Sequence, residues 1–333
     1  MTPRATFRKI NMDNVILKVS DLKTYFFTSR GIVKAVDGVE FELRRGECLC
    51  LVGESGCGKT VTALSILRLF DSPPGKIVGG QIRYDSLDLA ECSTRQLRQI
   101  RGKDIAIVFQ EAQSALNPVL TIGDQIIEQI KLHLPLDYGR ARDRAITLLS
   151  EMGIPSAEGA MSYYPHQLSG GMKQRVLIAM SLSCDPQILI ADEPTTAVDV
   201  TIKAQILDIF RELKTRRQMS TIFITHDLAV VAEIGDRAVV MYGGKDVETA
   251  PVSEIISNPK HPYTSGLIAC LPDVSKNTDR LASIPGTTPN PLEMPQGCAF
   301  HPRCPKAMKI CKQQEPSEII ISKEHKVSCH LYT

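Results

Sequence analysis

The sequence has little net charge and no charge field of one sign. Its 333 residues include 39 Lys and Arg against 37 Asp and Glu, a formal net charge of +2. A surface field strong enough to attract nucleic acid or acidic lipid is therefore not expected, and neither is a nucleic-acid partner. Hydrophobic residues make up 43% and charged residues 23%, which is the composition of a soluble globular chain of about two domains.

Segments that would cross or enter a membrane are also missing. No apolar run approaches the ~18 residues of a membrane-spanning helix, and the first residues lack the continuous apolar core of a signal peptide. We therefore expect the chain to stay in the cytoplasm. Ten cysteines in a reducing compartment argue against a disulfide framework. Residues 1–13 precede the strand-like stretch VILKV and are predicted to form an N-terminal extension.

A glycine-rich loop between a strand and a helix is the first candidate site. The largely apolar run ECLCLV precedes GESGCGKT, and VTALSILRLF follows with apolar residues at helical spacing. This pattern lets backbone N–H groups close around phosphate oxygens at a helix N-terminus. Lys59 is predicted to reach the β- and γ-phosphates and Thr60 to bind Mg²⁺. The predicted phosphate loop comprises Gly53, Glu54, Ser55, Gly56, Cys57, Gly58, Lys59 and Thr60.

A pair of carboxylates follows a second apolar strand, in QILIADEP. Asp192 ends that strand and is predicted to hold Mg²⁺. Glu193 comes next, and a carboxylate at the γ-phosphate end can orient or deprotonate water. Alone, the pair could be a solvated strand end. Together with the phosphate loop it predicts hydrolysis rather than binding alone.

A second glycine pair opens an amphipathic helix in LSGGMKQRV, residues 168–176, which is another helix N-terminus suited to phosphate. With these motifs in this order, the sequence resembles the ATP-binding cassette (ABC) family over about residues 14–260. The signature motif of that family has this Leu-Ser-Gly-Gly core. The signature residues expected to contact ATP are Ser169, Gly170 and Gly171.

The resemblance assigns roles to further residues. Gln110, in VFQ, matches the Q-loop and is expected near the reacting phosphate and Mg²⁺. Asp199, in AVDV, matches the D-loop, and His226, in FITHD, matches the switch histidine. Phe26, in LKTYFF, is the expected aromatic residue against adenine, with its neighbour Tyr25 as the alternative.

The resemblance also implies an architecture. The expected fold class is α/β, a P-loop NTPase cassette with a RecA-like core, an antiparallel β subdomain and a helical subdomain at about residues 111–169. The predicted domain boundaries are an N-terminal extension at 1–13, an ABC ATPase domain at 14–260, and a small cysteine-rich C-terminal extension at 261–333.

Partners follow from the same resemblance. In the ABC family, the signature motif of one subunit completes the ATP site of another, head to tail. Each motif occurs once here, so a second cassette is expected from another chain, with a paralogue favoured over a second copy. Soluble ABC ATPases of DNA repair or translation usually carry a long coiled coil or two cassettes, and this chain has neither. We therefore expect the peripheral motor subunit of a prokaryotic importer, at the cytoplasmic face of the inner membrane, with two permease subunits and an extracytoplasmic substrate-binding protein.

Two stretches near the C-terminus indicate the class of transported substrate. HPYTSGL (261–267) and IPGTTPNPLEMPQG (284–297) look like the C-terminal extension of the oligopeptide/dipeptide/nickel importer ATPases. That resemblance implies di- or oligopeptides as cargo. Nickel or another small solute stays open, because the binding protein and the membrane pore select the cargo.

A cysteine cluster ends the chain. Its spacing is C-x5-C-x6-C with the last cysteine 18 positions on, which lacks the close pairs of structural zinc sites. Ligation by cysteine alone suits an iron–sulfur cluster, and some members of the peptide-importer family carry a 4Fe–4S cluster. His301, His325 and His330 keep zinc open as the alternative, and free or disulfide-linked thiols are the third possibility. The predicted ligands are Cys298, Cys304, Cys311 and Cys329.

Overall fold

The structure is a computed structural model that describes residues 14–196, 199–271 and 283–333. The predicted N-terminal extension, residues 1–13, lies outside these ranges.

The strands are β1 Val15–Thr28, β2 Gly31–Arg44, β3 Cys48–Val52, β4 Gly75–Tyr84, β5 Leu87–Asp88, β6 Ile105–Val108, β7 Ile188–Asp192, β8 Ser220–Thr225, β9 Arg237–Tyr242, β10 Lys245–Pro251, β11 Glu318–Ser322 and β12 His325–Ser328. The helices are α1 Lys59–Leu67, α2 Thr94–Ile100, α3 Ala112–Ala115, α4 Ile122–His133, α5 Tyr138–Glu151, α6 Ala157–Ala160, α7 Gly170–Ser181, α8 Val200–Arg217, α9 Leu228–Ile234, α10 Val252–Ser257 and α11 Pro262–Ala269, with 3-10 turns at Pro165–Gln167 and Ile310–Lys312.

An eight-stranded sheet forms the centre of the molecule, in the order β11-β12-β10-β9-β3-β8-β7-β6. The five strands from β9 to β6 are parallel. Carboxyl ends of parallel strands meet at one edge of a sheet, and ligands bind in the crevice outside that edge. The loops after β3, β6, β7 and β8 therefore converge on one place.

Strand β3 is buried on both faces, which explains why its sequence is continuously apolar. Successive side chains of a strand point to opposite faces. Cys48, Cys50 and Val52 pack into one core cluster with the helical part of the chain. Leu49 and Leu51 pack into a second cluster with the antiparallel sheet.

The antiparallel sheet has the order β2-β1-β4-β5 and covers one face of the parallel sheet. Its buried side chains, among them Leu17, Val36 and Val39, belong to the same cluster as Ile66 of α1. This sheet therefore supports the helix that follows the phosphate loop.

The helical subdomain lies between β6 and β7. Helices α4 and α5 begin at the side-chain caps Thr121 and Asp137, and their apolar faces pack with that of α7 in the first core cluster. Together with the two sheets, this confirms the predicted fold class. No helix within the described ranges is both long and apolar enough to cross a membrane.

The C-terminal segment joins the central sheet. Strand β12 pairs with β10, with Glu248 opposite Val327, and β11 pairs with β12. Phe300 is buried against the rings of Tyr242 and Tyr263, at centroid distances of 5.1 and 5.3 Å. The segment is therefore packed on the rest of the fold by both backbone pairing and aromatic contacts.

Candidate active site

The phosphate loop connects β3 to α1, as the sequence predicts. Gly58 caps α1 with a positive φ of 104°, a conformation that favours glycine. A Cβ atom at this position would lie 2.4 Å from the carbonyl oxygen of Ala35. Glycine is therefore required here both by the backbone and by the space available.

Lys59 is almost completely buried in the loop. Its Nζ donates to the carbonyl oxygens of Gly53 at 2.7 Å and Glu54 at 3.0 Å. The ammonium group is thus held against the backbone of the loop, at the helix N-terminus to which a phosphate would bind.

The predicted magnesium residues lie side by side. The Thr60 hydroxyl donates to Asp192 Oδ1 at 3.1 Å. Burial raises the pKa of the Asp192 carboxyl, and the hydrogen bond from Thr60 opposes that rise. A hydroxyl and a carboxylate are the oxygen ligands that Mg²⁺ prefers, so these two side chains fit the ion.

Glu193 follows Asp192, and its carboxylate contacts three other side chains. Gln110 Nε2 donates to its Oε2 at 3.2 Å, Thr196 Oγ1 donates to the same oxygen at 2.9 Å, and His226 Nδ1 lies 3.2 Å from Oε1. Its side chain is only 12% exposed. Glu193, predicted from its place after an apolar strand, is therefore in direct contact with Gln110 and His226, which the family resemblance placed in this site. Thr196 was not among the predicted residues, although it lies three positions after Glu193.

The phosphate loop, Gln110, Glu193, Thr196 and His226 line one cavity of about 710 Å³, and Val33 and Lys34 of β2 form part of its wall. The C-terminal segment completes the wall with Thr288, Pro289, Pro291 and Met294.

The predicted adenine residues lie elsewhere. The Phe26 ring packs edge-to-face on Phe70 at a centroid distance of 6.0 Å, and the Tyr25 hydroxyl donates to Asp37. Neither aromatic residue lines the cavity, so the role of Phe26 stays a prediction.

Comparison with known proteins identifies the family. The ABC transporter family profile matches residues 36–196, and that of the oligopeptide/dipeptide transporter C-terminal region matches residues 247–311. The oligopeptide transport ATP-binding protein AppD of Bacillus subtilis is 47% identical over 96% of this chain and 97% of its own length. The dipeptide transport ATP-binding protein DppD of the same organism is 46% identical over 95% of this chain and 94% of its own length. This chain belongs to the ABC transporter family.

A solved structure shows the same cassette. The dimeric structure of an ATP-binding cassette in a post-hydrolysis state, bound to ADP and Pi, aligns with a TM-score of 0.64 and 25% identity over 71% of this chain and 98% of the other. The family relation makes this chain an ABC-type ATP hydrolase that uses ATP and Mg²⁺. The family predicted from the sequence motifs is confirmed.

The remaining ABC motifs lie outside the cavity. Ser169 Oγ caps α7 by accepting from the Met172 N–H at 3.3 Å, and Asp199 Oδ1 caps α8 by accepting from the Ile202 N–H at 2.9 Å. Gly170 opens onto free space, where a Cβ atom would meet nothing within 4 Å, whereas a Cβ atom on Gly171 would lie 2.9 Å from the Ile202 side chain. The structure does not bring these residues to the cavity of their own chain.

The four C-terminal cysteines share one neighbourhood. Cys311 and Cys329 are buried, and Cys298 and Cys304 are partly exposed. Burial, with a smaller contribution from the charges of the other three thiols, raises the pKa of Cys298 to about 11. In the described part of the chain, however, no group of three or more His, Cys, Asp or Glu side chains is arranged to hold a metal ion. The predicted cluster is therefore not supported by ligand geometry.

Proposed function

We propose that this chain is the ATP-hydrolysing motor subunit of a prokaryotic importer of di- or oligopeptides. The observation that carries the proposal is the combination of a hydrolytic cavity with the oligopeptide/dipeptide transporter C-terminal region at residues 247–311. AppD and DppD, whose names state oligopeptide and dipeptide transport, are similar to this chain over nearly its whole length.

The geometry supports a division of roles in hydrolysis. The loop N–H groups and Lys59 would bind the phosphates, and Thr60, Asp192 and Gln110 would hold Mg²⁺. The ion would supply charge neutralisation at the phosphates. Glu193 then orients the attacking water and takes its proton. Its three side-chain contacts fix the orientation of the carboxylate, as a general base requires.

A second cassette completes the site in this proposal. Ser169, Gly170, Gly171 and Asp199 serve the ATP site of a neighbouring chain, since they lie away from their own cavity. ATP binding closes the pair of cassettes and hydrolysis resets it. The partner cassette is a paralogue, and two permease subunits hold the pair at the cytoplasmic face of the membrane. An extracytoplasmic binding protein delivers the peptide to the permease subunits from the opposite side.

A reconstituted transporter tests the proposal. We expect the complex in liposomes to hydrolyse ATP faster with peptide-loaded binding protein than with the empty protein, and the mass of the complex to reveal a second, different cassette chain. Stimulation by nickel ions and not by peptides would contradict the cargo. Two copies of this chain with no other cassette would contradict the paralogous pair.

We further propose that Cys298, Cys304, Cys311 and Cys329 hold a 4Fe–4S cluster, with zinc as the alternative. The mutual electrostatic effect of the four thiols supports a shared ligand. The spacing of the four cysteines lacks the close pairs of structural zinc sites, which favours the cluster over zinc.

Anaerobic purification of the full chain tests the cluster. We expect a brown protein with about four iron atoms per chain, because cysteine-only ligation is typical of such clusters. Cys304→Ser should lose the colour, and Cys270→Ser, which removes a partly exposed thiol outside the four, should keep it. A colourless protein with one zinc ion would favour the alternative.

A further inference from the structure

The C-terminal segment contacts the phosphate loop directly through Arg303. Its Nη1 donates to Glu54 Oε2 at 2.5 Å and its Nη2 donates to Glu54 Oε1 at 3.0 Å. This two-point pair joins residues 249 positions apart in the chain. Glu54 is the second residue of the loop and lines the nucleotide cavity, whereas Arg303 does not.

The guanidinium of Arg303 is held on all sides. Its Nε donates to the Pro285 carbonyl at 2.9 Å and its Nη2 also donates to the Ile284 carbonyl at 3.3 Å. The side chain is only 5% exposed, against 29% for Glu54. The bond to Glu54 raises the pKa of Arg303 above its ordinary value, so the cation is permanent.

The backbone of Glu54 is fixed from the same side. Its N–H donates to the Tyr263 hydroxyl at 2.8 Å, and its carbonyl oxygen accepts from Lys59 Nζ at 3.0 Å. Glu54 therefore links the C-terminal segment to the lysine that is proposed to bind phosphate.

The negative charge of Glu54 affects the binding of ATP. ATP brings several negative charges into this cavity, and a carboxylate on the cavity wall would repel them. A bidentate arginine neutralises the carboxylate and fixes its direction.

We propose that Arg303 is a positioning residue for ATP, which neutralises Glu54 and holds its carboxylate away from the incoming phosphates. The C-terminal segment is then part of the nucleotide site and not only an appendage of the cassette. This inference rests on the proposed phosphate-binding role of the loop.

A double-mutant cycle tests the proposal, with ATP binding to the full-length chain measured by calorimetry. Arg303→Gln is expected to raise the dissociation constant of ATP about tenfold, because it leaves the Glu54 charge uncompensated beside the phosphates. Glu54→Gln is expected to tighten ATP binding a few-fold, because it removes that charge. The double variant is expected to recover most of the loss.

A matched control separates this effect from general loosening of the segment. Arg44 pairs with Glu324 at 2.7 Å and also ties the C-terminal hairpin to the core, but it lies outside the cavity. Arg44→Gln is expected to lower the melting temperature without weakening ATP binding. Lys59→Ala tests the loop itself, because undiminished ATP binding in that variant would refute the proposed function of the loop and not only the role of Arg303.

Two results would contradict the proposed role of Arg303. An ATP affinity of Arg303→Gln equal to that of the parent would show that Arg303 does not contribute to ATP binding. Equal weakening of ATP binding in both single variants and in the double variant would show that Arg303 only holds the segment in place. If Arg303→Gln does not fold, the double variant decides, since it leaves no unpaired buried charge, and weak ATP binding in that variant would contradict the proposal.

Discussion

At the scale of single residues, Glu193 joins an uncommon backbone conformation to a fixed side chain. Its φ is +46°, a region that residues other than glycine adopt at a cost of about 1 to 3 kcal/mol. Its N–H donates to the Ile224 carbonyl at 3.0 Å, which ties the turn to β8. Side-chain contacts to Gln110, Thr196 and His226 then fix the carboxylate. The strain thus lies at the residue proposed to activate water.

A second residue, His261, makes stability depend on pH. It is 1% exposed, and its Nδ1 accepts from the Tyr263 N–H at 3.1 Å to cap α11. Burial lowers the pKa of His261 to about 4, against about 6.5 in an unfolded chain. The unfolded chain therefore binds a proton first as the pH falls. The contribution of this residue to stability is complete above about pH 6.5 and is lost towards pH 4.

His261→Asn tests this dependence, because asparagine retains a capping oxygen but does not titrate. We expect the stability difference between parent and variant to shift against the parent by up to about 3 kcal/mol between pH 7 and pH 4. The measurement is the free energy of unfolding by denaturant at several pH values. A difference that stays constant across this range would show that His261 does not titrate as the structure indicates.

At the scale of elements, a buried carboxylate fastens the C-terminal segment to the sheet. Glu248 of β10 accepts from His325 Nε2 of β12 at 2.7 Å and from the His261 N–H at 2.8 Å. Its side chain is fully buried. One carboxylate therefore joins β10, β12 and the start of α11.

Elements with strong local signals could be predicted from the sequence. Strand β3, the phosphate loop and α1 follow from an apolar run, a glycine pattern and helical periodicity. Strand β7 is a short apolar run that ends in Asp192, and α7 begins at the Ser169 cap. Glu193 could be predicted from its place after strand β7, whereas Gln110 and His226 were expected in the same site only from family resemblance, because no local pattern specifies that their loops converge there.

The contacts of the C-terminal segment could not be predicted in the same way. Strands β11 and β12 have five and four residues, which is too short for a clear periodic signal. Their pairing with β10 and the contact between Arg303 and Glu54 are non-local. The packing of Phe26 against Phe70 likewise depends on a neighbour that is distant in sequence. Each of these contacts depends on packing between segments that are distant in sequence, which local sequence patterns do not specify.

At the scale of the whole molecule, the central sheet and the C-terminal segment together build the nucleotide cavity. The carboxyl edge of the parallel strands supplies the phosphate loop, Asp192, Glu193 and His226. Another part of the wall comes from Thr288, Pro289, Pro291 and Met294 of the C-terminal segment. ATP hydrolysis is therefore expected to depend on both parts, with Glu193 as the residue that activates the attacking water.

ATP turnover by the reconstituted transporter with Glu193→Gln tests that claim most directly. Glutamine is nearly isosteric with glutamate but cannot take a proton, so we expect ATP binding to persist and turnover to fall at least about 100-fold. Glu212→Gln, which changes an exposed carboxylate on α8, is the matched control and should retain parent turnover. Undiminished turnover in Glu193→Gln would contradict the proposed mechanism.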